Sequence, residues 1–288
     1  MLPVSIIGEI MIRIFAIDID GTLLNSNGNL DKKTVDALRD LEETGVRVVL
    51  NSGRVFSSVL YYARQISTSP VVIANNGAVL GTDYDNIILS HPLESDWLES
   101  LYRLSLENKL DFHFYDLDTY YADRFNEKKL EHLLKDRNTK GEYSVNLSIS
   151  DDPIKILQEK DHKAYKFQIN GLGDKESDME NIFREEFSEK LYFTSSINGV
   201  LEMMVKGVSK YKTVLDLASI MGLGEKNIAA IGDGLNDLEM IEGAKLSFAM
   251  ENGKDELKKA ADYVVASNDD LGIAEACKII KEYNRCLI

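Results

Sequence analysis

The stretch Ile14-Phe15-Ala16-Ile17-Asp18-Ile19-Asp20-Gly21-Thr22 decides the fold, because an apolar run leads directly into two acids and a glycine. A short apolar run of this kind is typical of a buried strand in a parallel sheet. Ligands of open α/β sheets bind beyond the carboxyl ends of such strands. Asp18 and Asp20 are therefore expected at a functional edge, where two neighbouring carboxylates usually require a cation.

Asp18 and Asp20 have two other interpretations. Because Asp and Gly are both common in turns, the segment could be an ordinary acidic turn. A calcium-binding EF-hand loop is the second alternative, but counting from Asp18 its twelfth position is Asn29, where that motif requires glutamate. The strand before Asp18 also argues against a helix–loop–helix unit. Partners for the two acids must come from elsewhere in the chain.

The composition limits the possible partners. The chain has 288 residues, 44% hydrophobic and 28% charged, which suits one large globular domain or two smaller ones. A net charge of -15 disfavours nucleic acid, whose binding needs a basic surface, yet it allows an anionic substrate beside a metal. The two cysteines, Cys277 and Cys286, form no disulfide framework and favour a reducing cytoplasm.

No apolar stretch is long enough to span a bilayer, and residues 1–10 lack the basic region that begins a signal peptide. We therefore predict a cytoplasmic protein that binds neither membrane nor nucleic acid and is a monomer or a small homo-oligomer. Met11 directly precedes the first predicted strand, so either Met1 or Met11 is compatible with the native start.

The organisation of the chain changes twice. Strands predicted at 14–17, 46–50 and 71–74 alternate with helices, and the same alternation resumes near Val200, which predicts a parallel sheet. Between them lies a mixed pattern that holds most of the aromatic residues. We predict an α/β fold with a Rossmann-like parallel core, residues 1–81 and 197–288, and an inserted α+β cap domain, residues 82–196.

Four polar clusters follow strands or begin a helix in this pattern. They are Asp18/Asp20, Ser52-Gly53-Arg54, Lys206/Lys210 and Asp233/Asn236/Asp237. Each cluster alone is compatible with an ordinary turn or a helix cap. Their number and their order along the chain make a chance occurrence improbable.

With these clusters, the sequence resembles the haloacid dehalogenase superfamily of phosphohydrolases, and within it the Cof-type sugar-phosphatase branch with an α/β cap. Ser52 stands where many relatives carry threonine, so the hydroxyl is kept. The matching motifs are Asp18-Ile19-Asp20-Gly21-Thr22, Ser52-Gly53-Arg54, Asn75-Asn76-Gly77-Ala78, Lys206-Gly207-Val208-Ser209-Lys210 and Gly232-Asp233-Gly234-Leu235-Asn236-Asp237.

The resemblance implies a Mg²⁺-dependent phosphatase that hydrolyses small phosphomonoesters, with sugar phosphates the expected substrates, through an aspartyl-phosphate. It makes Asp18 the nucleophile, Asp20 the acid and base, and Lys210 the cation that balances charge on the phosphoryl group. Asp237 is implied to hold metal-bound water or to orient Lys210. The implied phosphate or substrate ligands are Ser52, Gly53, Arg54, Lys210 and Asn236, and the implied metal ligands are Asp18, Asp20 through its backbone carbonyl, and Asp233.

The alternatives on the same core are a phosphoglycolate or mannosyl-phosphoglycerate phosphatase and a phosphomutase. A non-catalytic binding module is disfavoured, because such a protein would be expected to lose Asp18, Asp20 or Lys210. The histidines fall in the predicted cap without metal-binding spacing, so we expect them to be packed or solvated. They are His91, His113, His132 and His162.

Overall fold

A computed structural model describes residues 11–124, 145–172, 176–195 and 199–287. They form two compact units. The terminal unit combines residues 11–49 with 215–287, and the central unit comprises the described residues between 50 and 214.

Strands and helices are numbered along the chain. The strands are β1 Ile14–Ile17, β2 Arg47–Asn51, β3 Val71–Ala74, β4 Val79–Asp83, β5 Asn86–Ser90, β6 Asp111–Tyr115, β7 Thr119–Ala122, β8 Asn146–Ile149, β9 Lys166–Asn170, β10 Leu191–Thr194, β11 Leu201–Val205, β12 Ile228–Gly232, β13 Leu246–Met250 and β14 Tyr263–Val265. The helices are α1 Lys32–Glu42, α2 Phe56–Ile66, α3 Ser95–Glu107, α4 Pro153–Glu159, α5 Glu176–Phe187, α6 Lys210–Ile220, α7 Leu238–Gly243, α8 Asp255–Ala260 and α9 Gly272–Arg285.

The terminal unit is built on parallel strands in the order β14-β13-β12-β1. Strands β1 and β12 are buried along their whole length, which explains their unbroken apolar sequences. Their register pairs Ile17 with Ile231, so the two strands end side by side. Residues that follow them, beginning with Asp18 and Asp233, therefore leave the sheet at the same edge.

Helices α1 and α9 pack against each other in this unit. Helix α1 begins after Asp31, whose carboxylate accepts a hydrogen bond from the Lys33 N–H at 2.7 Å and so caps the helix. Near the end of α9, the Asn284 side chain accepts from the Ile12 N–H at 2.8 Å and donates to the Ile12 carbonyl at 3.0 Å. These bonds fix the chain that enters β1.

The central unit contains two sets of strands. Strands β3, β4 and β5 pair antiparallel in that order. A six-stranded sheet has the order β10-β11-β9-β6-β7-β8, and all its neighbours are antiparallel except β7 and β8. Aromatic side chains of this sheet and of α5 belong to one apolar core. The core includes Phe112, Phe114, Tyr121, Phe167, Phe183 and Phe187.

The predicted fold class is confirmed: the protein has a mixed α/β architecture with a parallel-sheet core and a separate α+β part. The Leu201–Val205 strand, placed by the sequence at the resumption of the parallel pattern, instead pairs antiparallel with β9 and β10. The cap boundaries at 82 and 196 stay predictions. His132 and residues 1–10 lie outside the described residues. Among the described helices, none has the length and apolar character needed to cross a bilayer.

Candidate active site

Three carboxylates converge at the edge where β1 and β12 end. Asp18 follows β1, whereas Asp233 and Asp237 follow β12, and one oxygen from each lies within 4.8 Å of the others. Asp18 is 6% exposed and Asp237 is fully buried. Buried carboxylates at this separation repel one another, and an all-oxygen set is the donor type that Mg²⁺ prefers. The residues present therefore fit a divalent cation.

Neighbouring groups fix the orientation of these acids. The Thr22 hydroxyl donates to Asp233 Oδ1 at 2.8 Å. Oδ2 of Asp237 accepts from the backbone N–H groups of Asp233 at 3.2 Å and Gly234 at 3.1 Å, because the short turn Leu235–Asp237 folds the side chain back. Asp237 thus holds the Asp233 backbone in addition to belonging to the acidic group.

Gly21 lets the chain pass close to Asp233. Its φ is +78°, and a Cβ atom there would lie 2.4 Å from Asp233 Oδ2. The Gly21 carbonyl accepts from Asn252 Nδ2 at 2.8 Å, and the Asp233 carbonyl accepts from the Lys254 N–H at 2.9 Å. The loop after β13 therefore supports both acidic turns from outside.

Asp20 is placed differently from Asp18. Its side chain is exposed, whereas Asp18 is buried. Its carboxylate is not part of the three-acid group found in the described chain. The expectation that Asp20 binds metal concerns its backbone carbonyl and stays a prediction. Asn236 lies half-buried in the turn between Asp233 and Asp237, and its role in binding phosphate likewise stays a prediction.

The central unit positions the 52–54 loop, which follows β2. Ser52 is almost fully buried, whereas Gly53 and Arg54 are half-buried. Oγ of Ser52 accepts from the Arg54 N–H at 3.3 Å. The Arg54 guanidinium donates to Ser58 Oγ at 3.2 Å and lies 5.5 Å from the centre of the Tyr62 ring. The loop is therefore ordered by contacts with helix α2.

Lys210 lies at the start of helix α6, close to two other sequence motifs. Its backbone carbonyl accepts from Asn51 Nδ2 at 3.0 Å, and its side chain is buried. The turn Asn75–Gly77 contacts the same helix start, since the Thr213 hydroxyl donates to the Gly77 carbonyl at 2.8 Å. A Cβ at Gly77 would lie 2.3 Å from the Ser209 carbonyl oxygen, so only glycine fits there. The structure thus brings three predicted motifs together within the central unit.

Two charged residues of this region are absent from the sequence prediction. Lys166 on β9 and Glu202 on β11 are 4% and 3% exposed, and Lys166 Nζ lies 2.7 Å from Glu202 Oε1. Lys166 Nζ also lies 5.1 Å from the centre of the Tyr115 ring. Burial raises the pKa of Tyr115, so this phenol remains a neutral neighbour. No local spacing joins Lys166 to Glu202, because only the sheet register brings them together.

Lys206 and the histidines make other contacts. The Lys206 ammonium is half-exposed and pairs with Glu189 at 3.1 Å. His113 is buried in the sheet, and His162 Nδ1 lies 2.7 Å from Asp116 Oδ2. Among the described residues, no histidine belongs to a metal-binding group.

Comparisons with known proteins agree with this arrangement. The sequence profile of the haloacid dehalogenase-like hydrolases matches residues 15–277. The chain belongs to this family of hydrolases. The family resemblance inferred from the motifs is therefore confirmed.

The hydrolase is similar along its length to named phosphatases. It is 28% identical over 272 residues to 5-amino-6-(5-phospho-D-ribitylamino)uracil phosphatase YcsE of Bacillus subtilis, covering 94% of this chain and 96% of that protein. It is 29% identical over 292 residues to phosphatase YwpJ of the same organism, covering 92% of this chain and 99% of that protein. A haloacid dehalogenase-like hydrolase from Bacteroides thetaiotaomicron has a TM-score of 0.81 at 25% identity, covering 93% and 99%.

These similarities make the hydrolase a phosphoric monoester hydrolase that acts on a small phosphorylated substrate. They are consistent with the Cof-type branch.

Proposed function

We propose that this hydrolase is a Mg²⁺-dependent phosphatase that cleaves the phosphate ester of a sugar or sugar alcohol through an aspartyl-phosphate on Asp18. The observation that supports this most directly is the convergence of Asp18, Asp233 and Asp237 at the ends of two adjacent parallel strands. The metal ligands would be the carboxylates of Asp18 and Asp233 and the Asp20 backbone carbonyl, with Asp237 supporting them. Bound Mg²⁺ would offset the negative charge of the acids and of the phosphoryl group.

In this proposal Asp18 and Asp20 have different chemical roles. An oxygen of Asp18 attacks phosphorus while the ester oxygen leaves, and Asp20 gives that oxygen its proton. Water then attacks the phosphorus of the aspartyl-phosphate, Asp20 accepts a proton from it, and inorganic phosphate and the Asp18 carboxylate are released. The exposed position of the Asp20 side chain supports its role in proton transfer, and the buried position of Asp18 supports a nucleophile held in one orientation.

The remaining predicted residues bind the phosphoryl group in this proposal. The Ser52 hydroxyl, the Gly53 N–H and Asn236 donate hydrogen bonds to it, Lys210 balances its charge, and Arg54 contacts the substrate. These assignments rest on the order of the motifs in the sequence. The names of relatives such as YcsE favour a phosphate carried by a ribityl chain or a similar carbohydrate. A cytoplasmic location also stays a prediction.

A metabolite screen with an Asp18→Asn variant tests the proposal. Purified protein is assayed for phosphate release from sugar phosphates, sugar-alcohol phosphates and phosphoglycolate, with Mg²⁺ or with chelator. We expect chelator or Asp18→Asn to abolish turnover while the circular dichroism spectrum is unchanged. Asp36→Asn, an exposed change on helix α1, is the matched control and should retain activity. Substantial turnover by Asp18→Asn would refute the nucleophile assignment.

A further inference from the structure

A buried ion pair in the six-stranded sheet reaches the 52–54 loop. Lys166 on β9 and Glu202 on β11 lie on the face opposite the apolar core, since the register pairs Met203 with Phe167 and Glu202 with Gln168. The pair is therefore diagonal across two adjacent antiparallel strands. Both side chains extend away from the core yet are almost completely buried.

Both members of the pair are bonded to the motifs of the candidate site. Lys166 Nζ donates to the Gly53 carbonyl at 2.7 Å in addition to its contact with Glu202. Asn76 Nδ2 donates to the second carboxylate oxygen of Glu202 at 3.2 Å. One ion pair thus contacts the 52–54 loop and the Asn75–Gly77 turn together.

All three carbonyls of the loop are held. The Ser52 carbonyl accepts from the Asn76 N–H at 3.1 Å, and the Arg54 carbonyl accepts from the Asn75 N–H at 2.8 Å. The Gly53 carbonyl is the one held by a side chain, that of Lys166. In a planar trans peptide the C=O and N–H bonds point in opposite directions. Holding the Ser52 carbonyl therefore directs the Gly53 N–H away from Asn76, and holding the Gly53 carbonyl directs the Arg54 N–H away from Lys166.

The orientation of the Asn76 side-chain amide leaves one of its polar atoms unsatisfied. Because Nδ2 bonds to Glu202, Asn76 Oδ1 faces Gly53, where a Cβ atom would lie 2.8 Å from it. That oxygen is buried and has no hydrogen-bond partner within the described chain. An unsatisfied buried acceptor is unfavourable and calls for an explanation. The bond to Glu202 is what keeps the amide in this orientation.

Stability alone does not explain the ion pair. Removing two charges from water is costly, and replacing a buried ion pair by uncharged residues of similar volume is often neutral or stabilising. This pair also fixes the Gly53 carbonyl of the 52–54 loop and the Asn76 side-chain amide of the neighbouring turn, which gives it a role beyond stability.

We propose that Lys166 and Glu202 are positioning residues for phosphate binding: Lys166 fixes the Gly53 peptide, and Glu202 holds Lys166 and orients Asn76. Neither residue touches the phosphoryl group. The inference rests on the proposed function for the role of the 52–54 loop as a phosphate ligand.

The test compares a single variant with a neutralised double variant. Lys166→Met leaves the Glu202 charge buried without its partner, so its Tm should fall by about 10 °C. Lys166→Met combined with Glu202→Gln removes both charges and keeps an acceptor for Asn76, so most of that Tm loss should be recovered. In this double variant the Gly53 carbonyl still lacks the ammonium donor of Lys166. We expect the double variant to show at least about a tenfold lower kcat/KM and weaker competitive inhibition by inorganic phosphate, since misplaced binding groups are costly.

Lys155→Met combined with Glu159→Gln is the matched control, because this exposed pair lies in helix α4 of the same unit. It should change neither Tm nor phosphate inhibition. A double variant of Lys166 and Glu202 with parental kcat/KM and phosphate inhibition would overturn the inference. If that double variant does not fold, Lys166→Arg supplies the comparison: it keeps a charged donor and should keep phosphate inhibition within about threefold, whereas Lys166→Gln should not.

Failure of the proposed function has a different signature. If the parental protein neither releases phosphate nor binds it, the proposed function fails. Amide hydrogen exchange then tests the positioning role independently of catalysis. The double variant should exchange faster at Arg54 and Asn76 than the parent, and equal exchange rates at both positions would refute the role of the ion pair.

Discussion

The Thr22 hydroxyl donates a 2.8 Å hydrogen bond to Asp233 Oδ1, joining the turn after β1 to the turn after β12. The two residues are 211 positions apart in the sequence. Asp233 is one of the three clustered acids, so this bond sets the direction in which one of its oxygens faces. Asp233 is a ligand in the metal site that we propose, and groups that orient a metal ligand in this way commonly affect metal affinity.

Thr22→Val should weaken activation by Mg²⁺ about tenfold, because Asp233 loses the donor that orients it. The shape of the side chain is kept, so the free energy of unfolding should fall by only about 1 kcal/mol. Activity is measured as a function of Mg²⁺ concentration, alongside Tm. Thr44→Val, which removes a hydroxyl bonded to the Leu41 carbonyl in the same unit, should leave Mg²⁺ activation unchanged. Equal Mg²⁺ activation in Thr22→Val and the parent would contradict this prediction.

Gly21→Ala should abolish activity, and Gly28→Ala should not. Both glycines have a positive φ, +78° and +76°, so alanine strains the backbone at either position by about 1–2 kcal/mol. A Cβ at Gly21 would also meet Asp233 Oδ2 at 2.4 Å, whereas nothing lies within 4 Å of a Cβ at Gly28. Tm and phosphate release are measured for both variants. Similar activity in the two variants would show that the contact with Asp233 is unimportant.

The parallel core and the acidic site were predictable because both depend on local pattern. Apolar strands ending in acids place Asp18 and Asp233 at one edge once β1 and β12 are adjacent. The burial of Asp237 was less predictable, because a turn of three residues, Leu235–Asp237, folds its carboxylate back onto the preceding N–H groups. A spacing of four residues from Asp233 does not reveal that turn.

The central unit was harder to predict because it depends on long-range strand pairing. The sequence of strand β5, Asn86-Ile87-Ile88-Leu89-Ser90, is apolar at its centre, but in the structure exposed and half-buried residues alternate along it. The apolar run therefore does not show that this strand pairs only with β4. Lys166 and Glu202 each resemble an ordinary surface charge in a strand sequence. Their pairing follows from the register of β9 with β11, which no spacing along the chain contains.

Mg²⁺ should raise the Tm of the parental protein. A cation that binds only the folded state at a hundred times its Kd adds about 2.7 kcal/mol, or about 5–10 °C for a protein of this size. Asp237→Asn removes one of three mutually repelling charges, so we expect a smaller Mg²⁺-induced shift. Thermal unfolding is followed with Mg²⁺ and with chelator. An equal shift in the variant and the parent would show that the Asp237 charge does not contribute to metal binding.

The two cysteines should differ sharply in reactivity. Cys277 is buried in helix α9, and burial raises the pKa of its thiol to about 12, whereas Cys286 is exposed at the end of that helix. Since the thiolate is the reactive form, a disulfide reagent at pH 8 should modify one thiol per native chain and two in denaturant. The native Cys286→Ser variant should show no modified thiol. Rapid modification of both thiols in the native parent would contradict the burial of Cys277.

The same burial predicts the sign of a pH effect on stability. The thiol of Cys277 ionises near its ordinary pKa of 9.0 in the unfolded chain but only near 12 in the folded protein. The contribution of this thiol to the free energy of unfolding is therefore fully present below pH 9. It is lost as pH rises from about 9 towards 12, because only the unfolded state releases the proton there. Relative to the parent, Cys277→Ala should show a shallower loss of stability between pH 9 and pH 10.5, measured by urea unfolding. Parallel pH profiles for the two proteins would show that this thiol does not remain protonated in the folded state.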